Sequence, residues 1–194
     1  MNRDIVANLL ATTTPLTNHE KDLFCSALQP VPLAPGAFIE TADAVTPGLI
    51  LVETGCLMTY YEDRHATAHV IQFATTGWWT GDLQSLSNQQ TGRYFTRALA
   101  QSDVWVLSKA RWDELLSRGA VFEKFFRLLF QRSLVTHQNR IIEAHALTAQ
   151  ARYENFRKRY PQLEQYVPQK HIASYLGMTP EFLSKLRRKR KPEP

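Results

Sequence analysis

The apolar residues change period along the chain, and the changes divide it. Over residues 1–29, Leu9, Leu10, Leu16, Leu23, Phe24 and Leu28 recur at helical spacing. The start, Met1 to Leu10, reads as a short amphipathic helix, and Thr17-Asn18-His19-Glu20 has the form of a capping box. From Val31 to about Ser108 the period shortens. β-rich runs at 37–40, 48–53, 56–62, 66–73, 93–98 and 104–108 alternate with Pro-Gly and Thr-Gly turn signals. That rhythm predicts an antiparallel sandwich or barrel.

Helical spacing then returns. A short helix is expected over 111–118 and a long one over 121–147. Val121, Phe125, Leu128, Arg132, Val135, Asn139, Ile142 and Ala146 step alternately by four and three, the seam of a two-stranded coiled coil. Phe122, Phe126 and Leu129 lie off that seam and are expected to pack on the sheet. Phe125, Leu128, Val135, Asn139 and Ile142 are the expected dimer contacts. A further helix over Ala149–Arg159 stops at Tyr160-Pro161, and Pro161 and Pro168 bracket a connector.

Residues 169–188 carry a two-helix pattern. Ile172, Leu176, Leu183 and Leu186 are spaced to fasten two helices, and Ala173 is small where they approach. Gly177 falls where the chain must turn, Thr179 suits an N-cap, and Pro180 suits the first helical position. This is a helix-turn-helix, whose second helix lies in the DNA major groove. Thr179, Glu181, Ser184, Lys185 and Arg188 fall on the side away from Leu183 and Leu186, so base contacts are expected there. Lys170, Arg187, Lys189, Arg190 and Lys191 are assigned to phosphates.

Charge sharpens this division. The 194 residues carry a net +5, but residues 151–194 hold eleven Lys/Arg against four Asp/Glu, while residues 1–150 hold twelve against fourteen. A basic end on a mildly acidic body predicts different partners for the two parts. Composition, at 44% hydrophobic and 21% charged, is that of a globular protein, with no long apolar run and no signal peptide, so a cytoplasmic protein without membrane attachment is expected. Cys25 and Cys56 lack metal-ligand spacing.

The order of these parts resembles the Crp/Fnr family of bacterial transcription regulators over nearly the whole chain. The resemblance rests on Pro35-Gly36-Ala37-Phe38-Ile39, Leu49-Ile50-Leu51-Val52-Glu53-Thr54-Gly55, Gly77-Trp78-Trp79-Thr80-Gly81-Asp82-Leu83, and the run from Thr96 to Ser108. It implies an α+β chain in three parts. Residues 1–118 form a jelly-roll β-sandwich of cyclic-nucleotide-binding type. Residues 119–148 form a dimerisation helix, and residues 149–194 a small all-α helix-turn-helix domain without a clear wing. It further implies a homodimeric, sequence-specific regulator with operator DNA and RNA polymerase as partners and no catalytic residues. Glu181 matches the acidic residue with which such regulators read cytosine, Lys185 stands where they usually have arginine, and Pro180 replaces a base-reading arginine.

The resemblance also marks a degenerate ligand pocket at Gly81, Asp82, Leu83, Arg93 and Tyr94. The family's phosphate cassette has Gly-Glu-Leu and then an arginine before the next strand. Here Asp82 replaces the glutamate, Gly92 occupies the arginine site, and Arg93 comes one position late. Cyclic-nucleotide chemistry is therefore not expected, and another small effector, or none, is. No metal or other cofactor is expected either. Two alternatives remain at this point. One is a non-catalytic interaction module that uses the roll and the basic tail. The other is a cupin-like metal enzyme, for which His65 and His69 stand about 13 Å apart along a strand, too far for easy shared ligation.

Overall fold

The computed structural model describes residues 7, 10, 12–161, 163–165 and 167–188. The segment Met1–Leu10 and the basic residues Lys189, Arg190 and Lys191 therefore lie largely or wholly outside the described residues. Helix α1 (Asn18–Ala27) starts at the expected capping box: the Glu20 amide donates to Thr17 Oγ1, and the Thr17 amide donates to Glu20 Oε2 at 2.7 Å. Eight strands follow: β1 (Gln29–Leu33), β2 (Phe38–Glu40), β3 (Leu49–Thr54), β4 (Cys56–Glu62), β5 (Ala68–Thr75), β6 (Trp79–Thr80), β7 (Tyr94–Ala98) and β8 (Ser102–Leu107), with helix α2 (Leu83–Asn88) between β6 and β7. They form two four-stranded sheets, ordered β1-β8-β3-β6 and β2-β7-β4-β5. The α+β sandwich is as expected.

Strand β1 is the element that the sequence hid. Pro30 and Pro32 argue against a strand, because proline cannot donate to a ladder. β1 sits at a sheet edge and pairs only with β8, where missing donors are tolerated.

Helices α3 (Lys109–Arg118), α4 (Ala120–Ala146) and α5 (Ala149–Arg159) follow, then a 3₁₀ turn (Leu163–Gln165), α6 (Gln169–Leu176) and α7 (Pro180–Arg188). Among the described residues no strand flanks the α6–α7 pair, in keeping with a wingless domain.

The chain divides into two compact units, residues 1–59 with 72–134, and residues 60–71 with 135–194. The first contains the main core. Phe24 meets Phe125 edge-on at 4.9 Å and packs against Phe122 and Phe126, with Leu49, Leu51, Trp105 and Leu107 from the sheet in the same cluster. This corrects the dimer seam. Phe125 is fully buried in the core of the chain itself and is no outward contact. The first half of α4 buries a wide stripe, Phe122, Phe125 and Phe126, and a heptad count cannot tell such a stripe from a seam. Arg132, which looked like a polar break in that seam, donates to the Thr12 carbonyl at 3.2 Å.

In the second unit, Phe156, Tyr160 and Tyr175 pack together, with Leu163, Val167, Ile172, Ala173 and Leu183 also buried. The second half of α4 belongs here and carries Leu134 at its border. Leu134, Val135, Ile141 and Ile142 are 54–60% exposed. Leu134 and Val135 recur seven residues on as Ile141 and Ile142.

Candidate nucleic-acid interface and sensor pocket

The α6–α7 pair is a helix-turn-helix in geometry as well as in sequence. Gly177 ends α6 at φ 63°, a left-handed conformation that glycine adopts without strain, and the Met178 amide reaches back to the Ala173 carbonyl at 3.0 Å. Thr179 then starts α7: its Oγ1 accepts from the Phe182 amide at 3.2 Å. Leu183 is fully buried against α6, with Ile172, Ala173 and Leu176, while Leu186 is half-buried. That anchoring fixes which side of α7 faces outward.

Thr179, Glu181, Lys185 and Arg188 are exposed and Ser184 is half-buried, so the expected base-reading residues share one accessible side. The Glu181 carboxyl is held below the usual carboxylate range by its own backbone amide first and then by the Thr179 hydroxyl, with Lys185 one turn on adding to the effect. It therefore stays an acceptor near neutral pH. Lys170 is exposed in the first turn of α6. Arg187 is engaged inside the domain. Its Nε lies 3.9 Å from Glu164, which also pairs with Arg157 at 3.0 Å and accepts from the Tyr153 hydroxyl. One further residue was missed: Phe182 is 46% exposed. An apolar side chain off the Leu183–Leu186 stripe was the available signal.

The other candidate site, in the roll, is built differently. Asp82 is buried, and both of its carboxylate oxygens are occupied. Oδ1 accepts from the Ser85 amide at 3.0 Å, capping α2, and Oδ2 accepts from the Arg93 amide at 3.0 Å. The Asp82 amide donates to Glu40 Oε1 at 2.9 Å, and the other Glu40 oxygen accepts from the Thr96 hydroxyl at 2.7 Å. Thr59 extends the network to Thr96 at 2.9 Å and to Thr80 at 2.8 Å, joining the two sheets. Glu40, Thr59, Thr80, Asp82, Ser85 and Thr96 are all buried.

The Arg93–Asp82 hydrogen bond brings Gly81, Asp82 and Leu83 beside Arg93 and Tyr94, but the carboxylate at this place is spent on backbone amides. Asp82 is turned into the fold, Leu83 and Arg93 are exposed, and Tyr94 is half-buried. Gly92, at the site where the resemblance expects arginine, is tightly enclosed: a Cβ there would stand 3.0 Å from Asp82 Oδ2 and 3.4 Å from the Ser85 Cβ, so those neighbours would have to give way. Glu40 is the residue that sequence reasoning missed, since a lone glutamate ending a short strand carries no signal. Trp79 packs on Phe24 and Phe125, while Phe95 meets Phe38.

The histidines considered for a metal are separated by the hairpin turn. His69 lies on β5 and its Nε2 is 2.9 Å from Asp63 Oδ2, whereas His65 precedes the strand. No group of three or more potential metal ligands occurs among the described residues. Nor is any helix among them long and apolar enough to cross a membrane.

No protein-family model and no curated protein sequence matches the chain. Solved structures do. FixK2 from Bradyrhizobium japonicum superposes with a TM-score of 0.71 at 14% identity, over 84% of this chain and 83% of that one. A putative transcriptional regulator of the Crp/Fnr family from Eubacterium rectale gives 0.70 at 17%, over 94% and 87%. CLP of Xanthomonas campestris, a c-di-GMP-responsive global regulator, gives 0.68 at 12%, over 89% and 91%. At these identities the likeness is one of architecture. The chain has the fold of the Crp/Fnr transcription regulators: a β-sandwich of cyclic-nucleotide-binding type followed by a helical domain.

Proposed function

We propose that this chain is a cytoplasmic, homodimeric, sequence-specific DNA-binding transcription regulator, and that its β-roll is not tuned to cyclic nucleotides. The observation that carries the reading is the outer side of α7, where Glu181, Phe182, Lys185 and Arg188 are exposed on a helix anchored by Leu183. Glu181 suits a cytosine amino group, Lys185 a guanine edge, and Phe182 a thymine methyl. Lys170 contacts phosphate, and RNA polymerase is the expected protein partner. Pairing of two α4 helices through Leu134, Val135, Ile141 and Ile142 covers the exposed apolar repeat and presents two recognition helices to a palindromic site.

The test begins with selection of preferred duplexes from a random pool. Lys185→Ala should then lower the preference for the selected site over scrambled DNA by about 1–3 kcal/mol. Equal weakening on both duplexes would remove the base-reading role. Sedimentation of Ile142→Asp should shift the protein to monomer and abolish tight binding to the palindrome. Titration with cyclic AMP and cyclic GMP should give no saturable heat, because Asp82 is occupied by backbone amides and Gly92 offers no guanidinium.

A further inference from the structure

A cavity of about 410 Å³ lies within the second unit, beside the last turns of α4. Its volume is in the range of small-molecule sites. His137, Arg140 and His145 of α4, Arg152 of α5, and Ser174 and Tyr175 of α6 contribute to its lining, and Ile141 and Leu176 add apolar wall. The charge is unbalanced. The carboxylate in the lining, Glu143, pairs with Arg159 at 3.5 Å and accepts from Asn155 Nδ2 at 3.3 Å. Arg140 and Arg152 therefore face the cavity with no carboxylate of their own among the described residues.

What holds these two arginines is neutral. The Arg140 guanidinium lies 4.2 Å from the centre of the Tyr175 ring and donates to the carbonyls of Ile71 and Tyr175. Arg152 Nη1 donates to the Ala144 carbonyl at 3.1 Å, and its Nε is buried with no hydrogen-bond partner. Each guanidinium has five N–H donors, so both keep donors to spare. For the donors that remain on the cavity-lining guanidiniums, an oxyanion is the partner that suits a planar cationic fork. Ser174 is already committed: its hydroxyl donates to the Ala68 carbonyl and accepts from the Val70 amide, both at 2.9 Å.

We propose that this cavity binds a small metabolite bearing an oxyanion, a phosphate ester or a carboxylate, through Arg140 and Arg152. His137 fits that assignment. It lines the same cavity, and burial first, and then the charge of Arg140, push its imidazole below the ordinary histidine value. Such a ligand joins the end of α4 to α5 and to α6, the first helix of the helix-turn-helix. Its regulatory consequence rests on the DNA-binding reading, but its binding does not.

The test is calorimetric titration of the full chain, without DNA, using pyrophosphate and citrate as probes of the two anion chemistries. Saturable binding of either at one per chain is expected, and the preferred probe identifies the chemistry. Arg152→Met should weaken it at least tenfold, while Lys185→Ala, on the outer side of α7, should leave it unchanged. Should Arg152→Met fail to fold, the His137 imidazole signals of the unaltered protein provide the readout and should move during the titration. Failure of both probes to saturate, equal weakening by the two variants, or shifts confined to α7 would each overturn the site. A protein that binds DNA but neither anion sinks this inference alone. One that binds an anion but no DNA sinks only the regulator reading.

Discussion

The two compact units use the same kinds of side chain to opposite ends. In the first, chemically eloquent groups are consumed by the fold: Asp82 and Glu40 accept from backbone amides and a threonine, and the phenylalanines of early α4 fill the core. In the second, comparable groups are left over. Glu181, Lys185 and Arg188 face solvent, and Val135, Ile141 and Ile142 are more than half exposed. A motif therefore says less about function than whether its polar atoms are still available. The cassette and α7 both look functional in sequence, but the Asp82 carboxylate is spent within the fold, whereas Glu181, Lys185 and Arg188 stay exposed.

The sharpest way to break the contrast is along α4 itself. Phe125→Ala should cost about 3–5 kcal/mol of unfolding free energy, the range for deleting a buried ring. Ile142→Ala should leave the protomer core intact and act only on self-association. Urea unfolding measured across a range of protein concentrations separates the two. A Phe125→Ala variant as stable as the parent would put that ring back on the seam.

Next in size is Asp82→Ala. It leaves the amides of Ser85 and Arg93 without their acceptor and removes the cap of α2, a loss of about 2–3 kcal/mol. DNA affinity per folded molecule should be unchanged. If stability is instead unaffected within 0.5 kcal/mol while an effector response disappears, as a surface substitution outside the fold's network would behave, Asp82 is a ligand residue after all.

Sequence reasoning reached most of this architecture because the local signals agree with the global fold. Thr17 with Glu20, Gly177 with Thr179, and Leu183 each announce a cap, a turn or an anchor that the structure uses. It missed β1 because Pro30 and Pro32 are tolerated only at an edge, and edges are set by tertiary pairing. It misplaced Phe125 because spacing gives a face of a helix but not what covers that face. It missed Glu40, whose role depends on Thr96, 56 residues away. Long-range partners carry no signature in a single chain.

A smaller effect is expected at Glu164, where the second unit engages a cation of α7. Glu164 holds Arg157, Tyr153 and, at longer range, Arg187. Glu164→Gln should cost about 1–2 kcal/mol, because a neutral amide keeps a hydrogen bond but loses the charge that strengthens it. It should also release Arg187 toward phosphate, seen as a steeper dependence of DNA affinity on salt. An unchanged salt slope would mean that Arg187 is already available.

The smallest effect tests whether consumption without burial matters at all. Asp63 lies in the β4–β5 turn, where Oδ1 accepts from the amides of His65 and Thr67 and Oδ2 meets His69 Nε2. His69 first, and then those two amides, hold its carboxyl below the ordinary aspartate value of 3.8. A group whose folded pKa is depressed adds stability that is fully present above the unfolded value. That stability is lost as pH falls through the folded value, so the window here lies below pH 3.8. Because Asp63 is solvated, only the turn should respond. The amide resonances of His65 and Thr67 should titrate together, below the pH at which an unstructured aspartate does, with no matching change in the main unfolding transition. If they titrate at the ordinary aspartate value, the turn draws nothing from this carboxylate, and engagement without burial contributes nothing measurable to the fold.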